Sequence, residues 1–318
     1  MSFSTDVKNE LARVSAEEEC CQLAELTALM RMGGTILISG RGHPGMNFTT
    51  ENPAVARKVL TLIKRNFKLR TEVLVSRGRR LKKRIVYAIK VAPAPLVSEL
   101  LAQLGLLQGE QLNVASDRSL LRRLCCRRAY LRGAFLGGGS VNRPEGNYHL
   151  ELVTENGNFA ETLVWAMKSY GLTARVTDRK NEYIVYLKDG DAITTFLQVI
   201  GAHDALMQFE NIRVVKDMRN QVNRLVNCET ANLQKTVNAS VRQIEKIRRI
   251  VQEQGLSDLP PALRETAELR LSYPEATLYE LVDLLGGRVG KSGINHRLRK
   301  LERIADEMEA EGTNETGS

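Results

Sequence analysis

The residues whose types and spacing best suit a chemical task lie near the C-terminus. Ser292, Asn295, His296, Arg299 and Arg303 recur at helical spacing opposite Ile294, Leu298, Leu301 and Ile304, with Lys291, Arg297 and Lys300 beside them. Asn and Arg can read adenine and guanine edges bidentately, while Lys, Ser and Arg grip phosphates, so this face suits double-stranded DNA. A solvated basic helix packed on its neighbours has the same composition, and His296 alone reads as a surface polar group. A second basic run, Arg77-Gly78-Arg79-Arg80-Leu81-Lys82-Lys83-Arg84, falls at an expected hairpin tip, where it suits a clamp on the DNA backbone or on a partner. Arg41, in the loop Ser39-Gly40-Arg41-Gly42-His43, could serve the same end. Arg118, Arg122, Arg123, Arg127, Arg128 and Arg132 add charge without defining one face.

Catalytic constellations are not evident. His43, His149, His203 and His296 are scattered without metal spacing, no P-loop or nucleophile elbow occurs, and Gly137-Gly138-Gly139 lacks the continuation of a dinucleotide fingerprint. The cysteines, Cys20-Cys21, Cys125-Cys126 and Cys228, match no Cys-x-x-Cys spacing and read as reduced, mostly packed side chains. The expectation is therefore no catalytic residue, no metal, no cofactor and no small-molecule substrate.

The elements that must position these groups follow from local signals. Thr277 and Glu280 form a capping box for a short helix with Leu278, Leu281, Val282 and Leu285 on one face. Gly286-Gly287-Arg288-Val289-Gly290 breaks it, and a second helix starts near Lys291 or Ser292. Helix, glycine turn, helix is the layout of a helix-turn-helix. Upstream, Val241 to Gln254 and Pro261 to Leu271 read as helices, and an Asn-rich stretch before them reads as a long helix followed by a less regular connection.

The first two thirds of the chain is a duplication. Cys20-Cys21 and Cys125-Cys126 share an offset with Leu26 and Leu131, and with Gly33-Gly34-Thr35 and Gly138-Gly139-Ser140; Thr50-Glu51-Asn52 and Thr154-Glu155-Asn156 match with one residue of slippage. In the first copy, a Ser15/Glu18 capping box opens an apolar helix through Leu23, Leu26 and Met30. Thr35 to Ile38 and Met46 to Thr49 read as strands. Asn52-Pro53 starts a helix with Val55, Val59, Leu62 and Ile63, and Thr71 to Ser76 and Arg84 to Val91 form another strand pair. The second copy repeats the order, with strands near His149 to Val153, a helix from Phe159 to Tyr170, and a strand pair at Ala174 to Thr177 and Tyr183 to Leu187. A duplicated fold without a nucleic-acid role remains open at this point.

Composition sets the outer limits. A chain of 318 residues with 43% hydrophobic content is long enough for two domains and can bury a core in at least one, and a net charge of +9 favours a polyanionic partner. An aromatic fraction of 5% argues against a stacking platform for single strands. No stretch approaches the roughly 20 apolar residues of a membrane span, and Met1-Ser2-Phe3-Ser4 is unlike a secretion signal. A cytoplasmic, nucleoid-associated protein without a membrane partner is expected.

Leu26-Thr27-Ala28-Leu29-Met30-Arg31-Met32-Gly33-Gly34 and Leu131-Arg132-Gly133-Ala134-Phe135-Leu136-Gly137-Gly138-Gly139 resemble the LAGLIDADG motif of homing endonucleases. There such helices form the central interface and carry an acidic metal ligand before the last glycine. Here Gly33 and Gly138 occupy the acidic positions, so the resemblance implies a DNA-binding surface without nuclease activity. Joined to Phe209-Glu210-Asn211, Asn223 to Asn232 and Lys291 to Leu301, the chain resembles the WhiA family from Ser4 to about Ile304. That resemblance implies a regulator of transcription tied to sporulation, cell division or chromosome segregation, with possible protein partners in those processes.

The expected fold class is α+β: a tandem LAGLIDADG-like αββαββα duplication over 1–205, with copies at about 15–105 and 120–205, followed by an all-α domain. A helical linker is expected over 206–238, the helix-turn-helix domain over 239–306 and a disordered tail over 307–318. Two other functions stand beside the regulator: an active endonuclease, disfavoured by the two glycines, and a chromosome or division protein that binds DNA weakly and works through protein partners.

Overall fold

Two passes through one local programme build the first compact unit, Met1–Asp217. The computed structural model describes residues 2–38, 43–77, 85–109, 111–113 and 118–315. Helix α1 (Phe3–Leu11) precedes the duplication and was not expected from the sequence. The Ser2 hydroxyl caps it by accepting from the Thr5 amide at 3.2 Å, and Phe3, Val7 and Leu11, four apart, are buried. Ser4 ties α1 to the second copy, its hydroxyl donating to the Val141 carbonyl (2.9 Å) and accepting from the Val141 amide (2.7 Å).

The first copy then runs α2 (Glu19–Gly33), β1 (Gly34–Ile38), β2 (Pro44–Thr50), α3 (Pro53–Asn66), β3 (Thr71–Arg77), β4 (Ile85–Val91) and α4 (Pro95–Gln103). A small hairpin, β5 (Leu107–Gln108) and β6 (Gln111–Leu112), leads to the second copy. That copy is α5 (Leu124–Gly138), β7 (Gly139–Val141), β8 (Leu150–Thr154), α6 (Gly157–Lys168), β9 (Arg175–Arg179), β10 (Glu182–Leu187) and α7 (Gly190–Ile200). Both four-stranded sheets are antiparallel with equivalent orders, β1-β2-β4-β3 and β7-β8-β10-β9. The αββαββα expectation holds element by element.

Local chemistry explains the match. The Asn52 side chain accepts from the amides of Ala54 (2.8 Å) and Val55 (3.2 Å) with Pro53 in the first turn, and Asn156 caps α6 through the Phe159 amide at 3.0 Å. Register puts Met46 opposite Val91 and Phe48 opposite Ile89, and all four are buried under α3; Leu150 with Leu187 and Leu152 with Val185 are their counterparts. The Ser15/Glu18 capping box is a correction. Glu18 itself takes the extended N-cap position without a side-chain bond, while the Ser15 hydroxyl accepts from Arg65 at 3.3 Å. Gln22 instead holds the approach to α2, donating to the carbonyls of Ala16 and Glu17.

The paired helices α2 and α5 form the centre. A Cβ on Gly133 would stand 2.3 Å from the Glu25 carbonyl oxygen, and one on Gly137 would stand 2.4 Å from the Met32 Cβ, so the seam depends on missing side chains. Inside it, the Glu25 carboxylate is fully buried between Lys58 (Nζ to Oε1, 3.2 Å) and Arg132 (Nη2 to Oε2, 3.0 Å; Nε to Oε1, 3.2 Å). Lys58 also donates to the Val14 carbonyl, and Arg132 to that of Ile200. The Cys20-Cys21 and Cys125-Cys126 pairs, expected only as reduced and mostly packed side chains, meet at the starts of these two helices.

The second unit, Met218–Ser318, is all helical. Helix α8 (His203–Glu253) runs unbroken across the division between the units, which corrects both the irregular connection and the separate helix expected at Val241. No Gly or Pro occurs between His203 and Glu253, and Asn lowers helix propensity by well under about 1 kcal/mol per residue, so the Asn-rich stretch contains no true breaker. Next come α9 (Pro261–Ser272), α10 (Leu278–Leu284) and α11 (Lys291–Glu315). The expected tail is also corrected: α11 continues past Glu307, and Asp306 and Glu309, one turn apart, pair with Lys246 at 2.5 and 3.0 Å, while Glu309 also reaches Arg249 at 2.6 Å. Among the described residues no helix is long and apolar enough to cross a membrane.

The buried triad holds two cations against one carboxylate, and its members should respond asymmetrically to removal. Glu25→Gln leaves both cations uncompensated and should destabilise by about 3–5 kcal/mol, whereas Lys58→Met leaves a balanced pair and should be neutral or stabilising; equal losses in denaturant titrations would contradict this. Burial also pulls the Lys8 ammonium down to about 8 from 10.5, so the native state sheds that proton before the unfolded chain does. Its contribution to stability therefore rises with pH between those values, and Lys8→Met should flatten that rise in unfolding free energy.

Candidate nucleic-acid interface

The Thr277/Glu280 capping box forms as expected. The Thr277 hydroxyl accepts from the Glu280 amide at 3.3 Å, and the Glu280 carboxylate accepts from the Thr277 amide at 2.7 Å. That backbone bond, with the hydroxyl contact, holds the Glu280 carboxyl below the usual carboxylate range. The short helix α10 and its C-cap bury Leu281 and Leu285 against Ile294, Leu298, Leu301 and Ala305 of α11, with Ile247, Ile250, Leu263 and Ala267 from α8 and α9 completing the core. Between the helices, Gly286 and Gly287 take φ of +64° and +69°, the left-handed region where a Cβ is strained, and the Gly287 amide closes the turn on the Val282 carbonyl at 3.0 Å. Arg288 then anchors the turn to α9 through Glu265 at 2.9 Å.

With Ile294, Leu298, Leu301 and Ala305 turned inward, α11 leaves Lys291, Ser292, His296, Arg299, Lys300 and Arg303 exposed and Asn295 half-buried. Arg297 departs from the expected contact face. Its Nη1 lies 3.4 Å from both the Ala262 carbonyl and the Thr266 hydroxyl, and 3.9 Å from Glu265, so it braces α11 on α9. Lys291 stacks its ammonium over Tyr279, 4.3 Å from the ring centroid.

Beside the first turn of α11 lies a cleft of about 390 Å³, lined by Lys235, Ser240, Gln243, Arg270, Tyr279, Lys291 and Asn295 among others. Its charged lining is entirely cationic. Arg270 is 2% exposed and donates to the Ala276 carbonyl (2.6 Å) and the Ser240 hydroxyl (3.4 Å), yet its Nε and the Gln243 Oε1 find no hydrogen-bond partner among the described residues. Burial lowers the pKa of this guanidinium, as expected where no carboxylate stands against it. Sequence reasoning missed the cleft because Arg270 reads there as one more polar position on α9.

The second basic element is described only in part. Arg77 ends β3 in an exposed position, whereas Arg79, Arg80, Lys82, Lys83 and Arg84, like Arg41, lie outside the described residues. In the arginine run of the second copy, Arg118 and Arg127 cover the Trp165 ring at 4.9 and 4.2 Å from its centroid, and Arg127 also donates to Leu121 and Ser169. These are packing roles, as is that of Arg132. At the ends of α2 and α5 the two glycines are closely covered. A Cβ on Gly33 would lie 3.0 Å from the Phe48 ring and 3.3 Å from the Thr49 carbonyl, and one on Gly138 would lie 2.9 Å from both Met32 Sδ and the Val153 carbonyl. Sequence reasoning also missed the exposed sheet edges: Val73, Leu74 and Val75 on β3 are 45 to 61% exposed, and all of β9 is open.

Comparison with known proteins follows the same division of the chain. Residues 19–107 match the WhiA N-terminal LAGLIDADG-like domain, 127–219 the WhiA LAGLIDADG-like domain, and 222–305 the WhiA C-terminal HTH domain. A protein of Desulforamulus reducens named "Probable cell division protein WhiA" is 52% identical over 312 residues, covering 97% of this chain and 96% of that protein. One of the same name from Heliobacterium modesticaldum is 51% identical over 313 residues, covering 98% of each. The crystal structure of full-length DUF199/WhiA from "Thermatoga maritima" superposes with a TM-score of 0.60 at 26% identity, covering 96% of this chain and 99% of that one.

The turn and its cap set the geometry of α11, so their loss should be measurable in denaturant. Gly287→Ala places a Cβ at left-handed φ and should cost about 1–2 kcal/mol, and Thr277→Ala removes the cap and should cost about 1 kcal/mol. A silent Gly287→Ala would contradict the turn as described.

Proposed function

The chain belongs to the WhiA family, and from that premise we propose that it binds double-stranded DNA sequence-selectively through α10, the glycine turn and α11, as a regulator that does not cut DNA. The observation that carries this reading is the exposed face of α11. Ser292, Asn295 and His296 occupy its N-terminal turns, where helix-turn-helix proteins meet base edges, and Arg299, Lys300 and Arg303 continue the face toward the phosphates. The cationic cleft around Lys235, Arg270 and Lys291 is a seat for a backbone phosphate next to those bases. Arg297 acts in this reading by holding α11 against α9.

The process served is cell division, after the name that the similar proteins carry, with chromosome segregation or sporulation beside it, exercised through control of transcription. Gly33 and Gly138 support the absence of cleavage, because neither offers a side-chain carboxylate and both are too closely covered to gain a side chain without displacement. The protein acts in the cytoplasm, on the nucleoid. A second reading, a chromosome or division protein working chiefly through protein partners, draws support from the exposed apolar edge Val73-Leu74-Val75.

Genome-wide mapping of DNA bound by the full chain, compared with an Asn295→Ala/Arg299→Ala variant, separates the two. Sharp sites at promoters that vanish in the variant support the regulator; diffuse or unchanged occupancy supports the second reading. In purified protein, Arg299→Ala should cost about 1–3 kcal/mol and relax specificity, whereas neutralising Arg79, Arg80, Lys82 and Lys83 should weaken binding to all sequences alike and flatten its salt dependence.

A further inference from the structure

Four of the five cysteines stand in adjacent pairs at equivalent places in the duplication, Cys20-Cys21 in the first turn of α2 and Cys125-Cys126 in the first turn of α5. The Sγ atoms of Cys20, Cys21 and Cys126 all lie within 4.8 Å of one another. Cys125 adjoins this group from the exposed side, its thiol interacting with those of Cys21 and Cys126. The duplication relates the two pairs, since exchanging the copies swaps Cys20 with Cys125 and Cys21 with Cys126.

A tetrahedral thiolate centre with metal–sulfur bonds of about 2.3 Å has edges of about 3.8 Å, so the three sulfurs need to close by no more than roughly 1 Å to reach it. From this geometry we propose that Cys20, Cys21, Cys125 and Cys126 form a tetrathiolate site for a soft divalent metal ion, zinc foremost, which staples the first turn of α2 to that of α5.

The surroundings suit that ligand. Without a cation the buried Cys21 and Cys126 side chains contribute only a crowded contact. A divalent ion reverses this: four thiols give up four protons to solvent, two of the four thiolate charges are neutralised by the metal, and no oxidant is consumed. The remaining negative charge faces the N-terminal ends of α2 and α5, whose free amides favour anions, and the Arg123 guanidinium already acts on Cys125. The position is remote from the motif glycines. Helix α2 spans 15 residues, about 22 Å at 1.5 Å per residue, so the site pins the seam at one end while Gly33 and Gly138 close the other. The role is structural, and it acts on the contact that holds the two copies together.

The test uses the full chain, reduced, loaded with Zn²⁺ or Co²⁺ and desalted. One tightly held metal ion per chain is expected by elemental analysis, and the cobalt form should show thiolate-to-metal charge transfer with the strong visible bands of tetrahedral sulfur coordination. Cys126→Ser should reduce retained metal by at least the roughly tenfold that even outer-shell changes can cost. Cys228→Ser, outside the cluster, should leave it unchanged. Because Cys126 is buried, Cys125→Ser is the second variant: its exposed site tolerates serine, and it should weaken retention and alter the cobalt spectrum in a chain with unchanged circular dichroism. Substoichiometric metal in the parent chain, retention unaffected by either variant, or a Cys20–Cys126 disulfide in place of metal under cell-like thiol conditions would each overturn the proposal.

Discussion

The first unit depends on how closely α2 and α5 approach. Gly133 and Gly137 leave no room for a Cβ against Glu25 and Met32, so the two backbones touch where ordinary helices would be held apart by side chains. That contact relates the two copies to each other. The sheets, the covering helices α3 and α6, the motif glycines and the cysteine pairs all occur twice because they are carried around it.

The same contact explains a costly feature at its centre. A lone carboxylate in this seam would be prohibitive, and Glu25 is tolerated because Arg132 reaches it from the opposite helix and Lys58 from α3, each with a second bond to a backbone carbonyl. Such a cluster adds little net stability compared with apolar packing. It does penalise any arrangement in which α5 slides along α2, because a shift of one turn would separate Arg132 from Glu25 and leave charges buried and unpaired. The glycines admit close approach, and the triad selects one register within it.

Much of this was legible in the chain because the signals were local. Asn52-Pro53, the alternation around Met46 and Phe48, the Thr277/Glu280 box and Gly286-Gly287 each act within a few residues, and each produced its element where the spacing put it. The misses have local causes too. Ser15 and Glu18 satisfy a capping pattern, but the helix starts at Glu19 and the serine serves Arg65. The acidic stretch from Glu307 onward looks like a solvated tail until α8 brings Lys246 and Arg249 alongside Glu309, and electrostatic pairs across helices have no signature in one segment. On α11, the apolar periodicity identifies the inner face but cannot say that Arg297, at its margin, turns toward α9 while Arg299 does not.

The cysteines show the limit of spacing arguments most clearly. Rules for metal sites look for ligands two to four residues apart, because a single turn or hairpin must supply a chelating pair. In a duplicated fold the second half of a ligand set can instead be supplied by symmetry. A feature too weak to hold anything in one copy, such as two adjacent thiols at a helix start, is brought face to face with its own repeat 105 residues away. The seam between the copies is therefore where duplication creates chemistry that neither copy contains. At one end of it Gly33 and Gly138 are closely covered by the opposite copy and the sheets, and at the other the same pairing gathers the sulfurs of Cys20, Cys21 and Cys126.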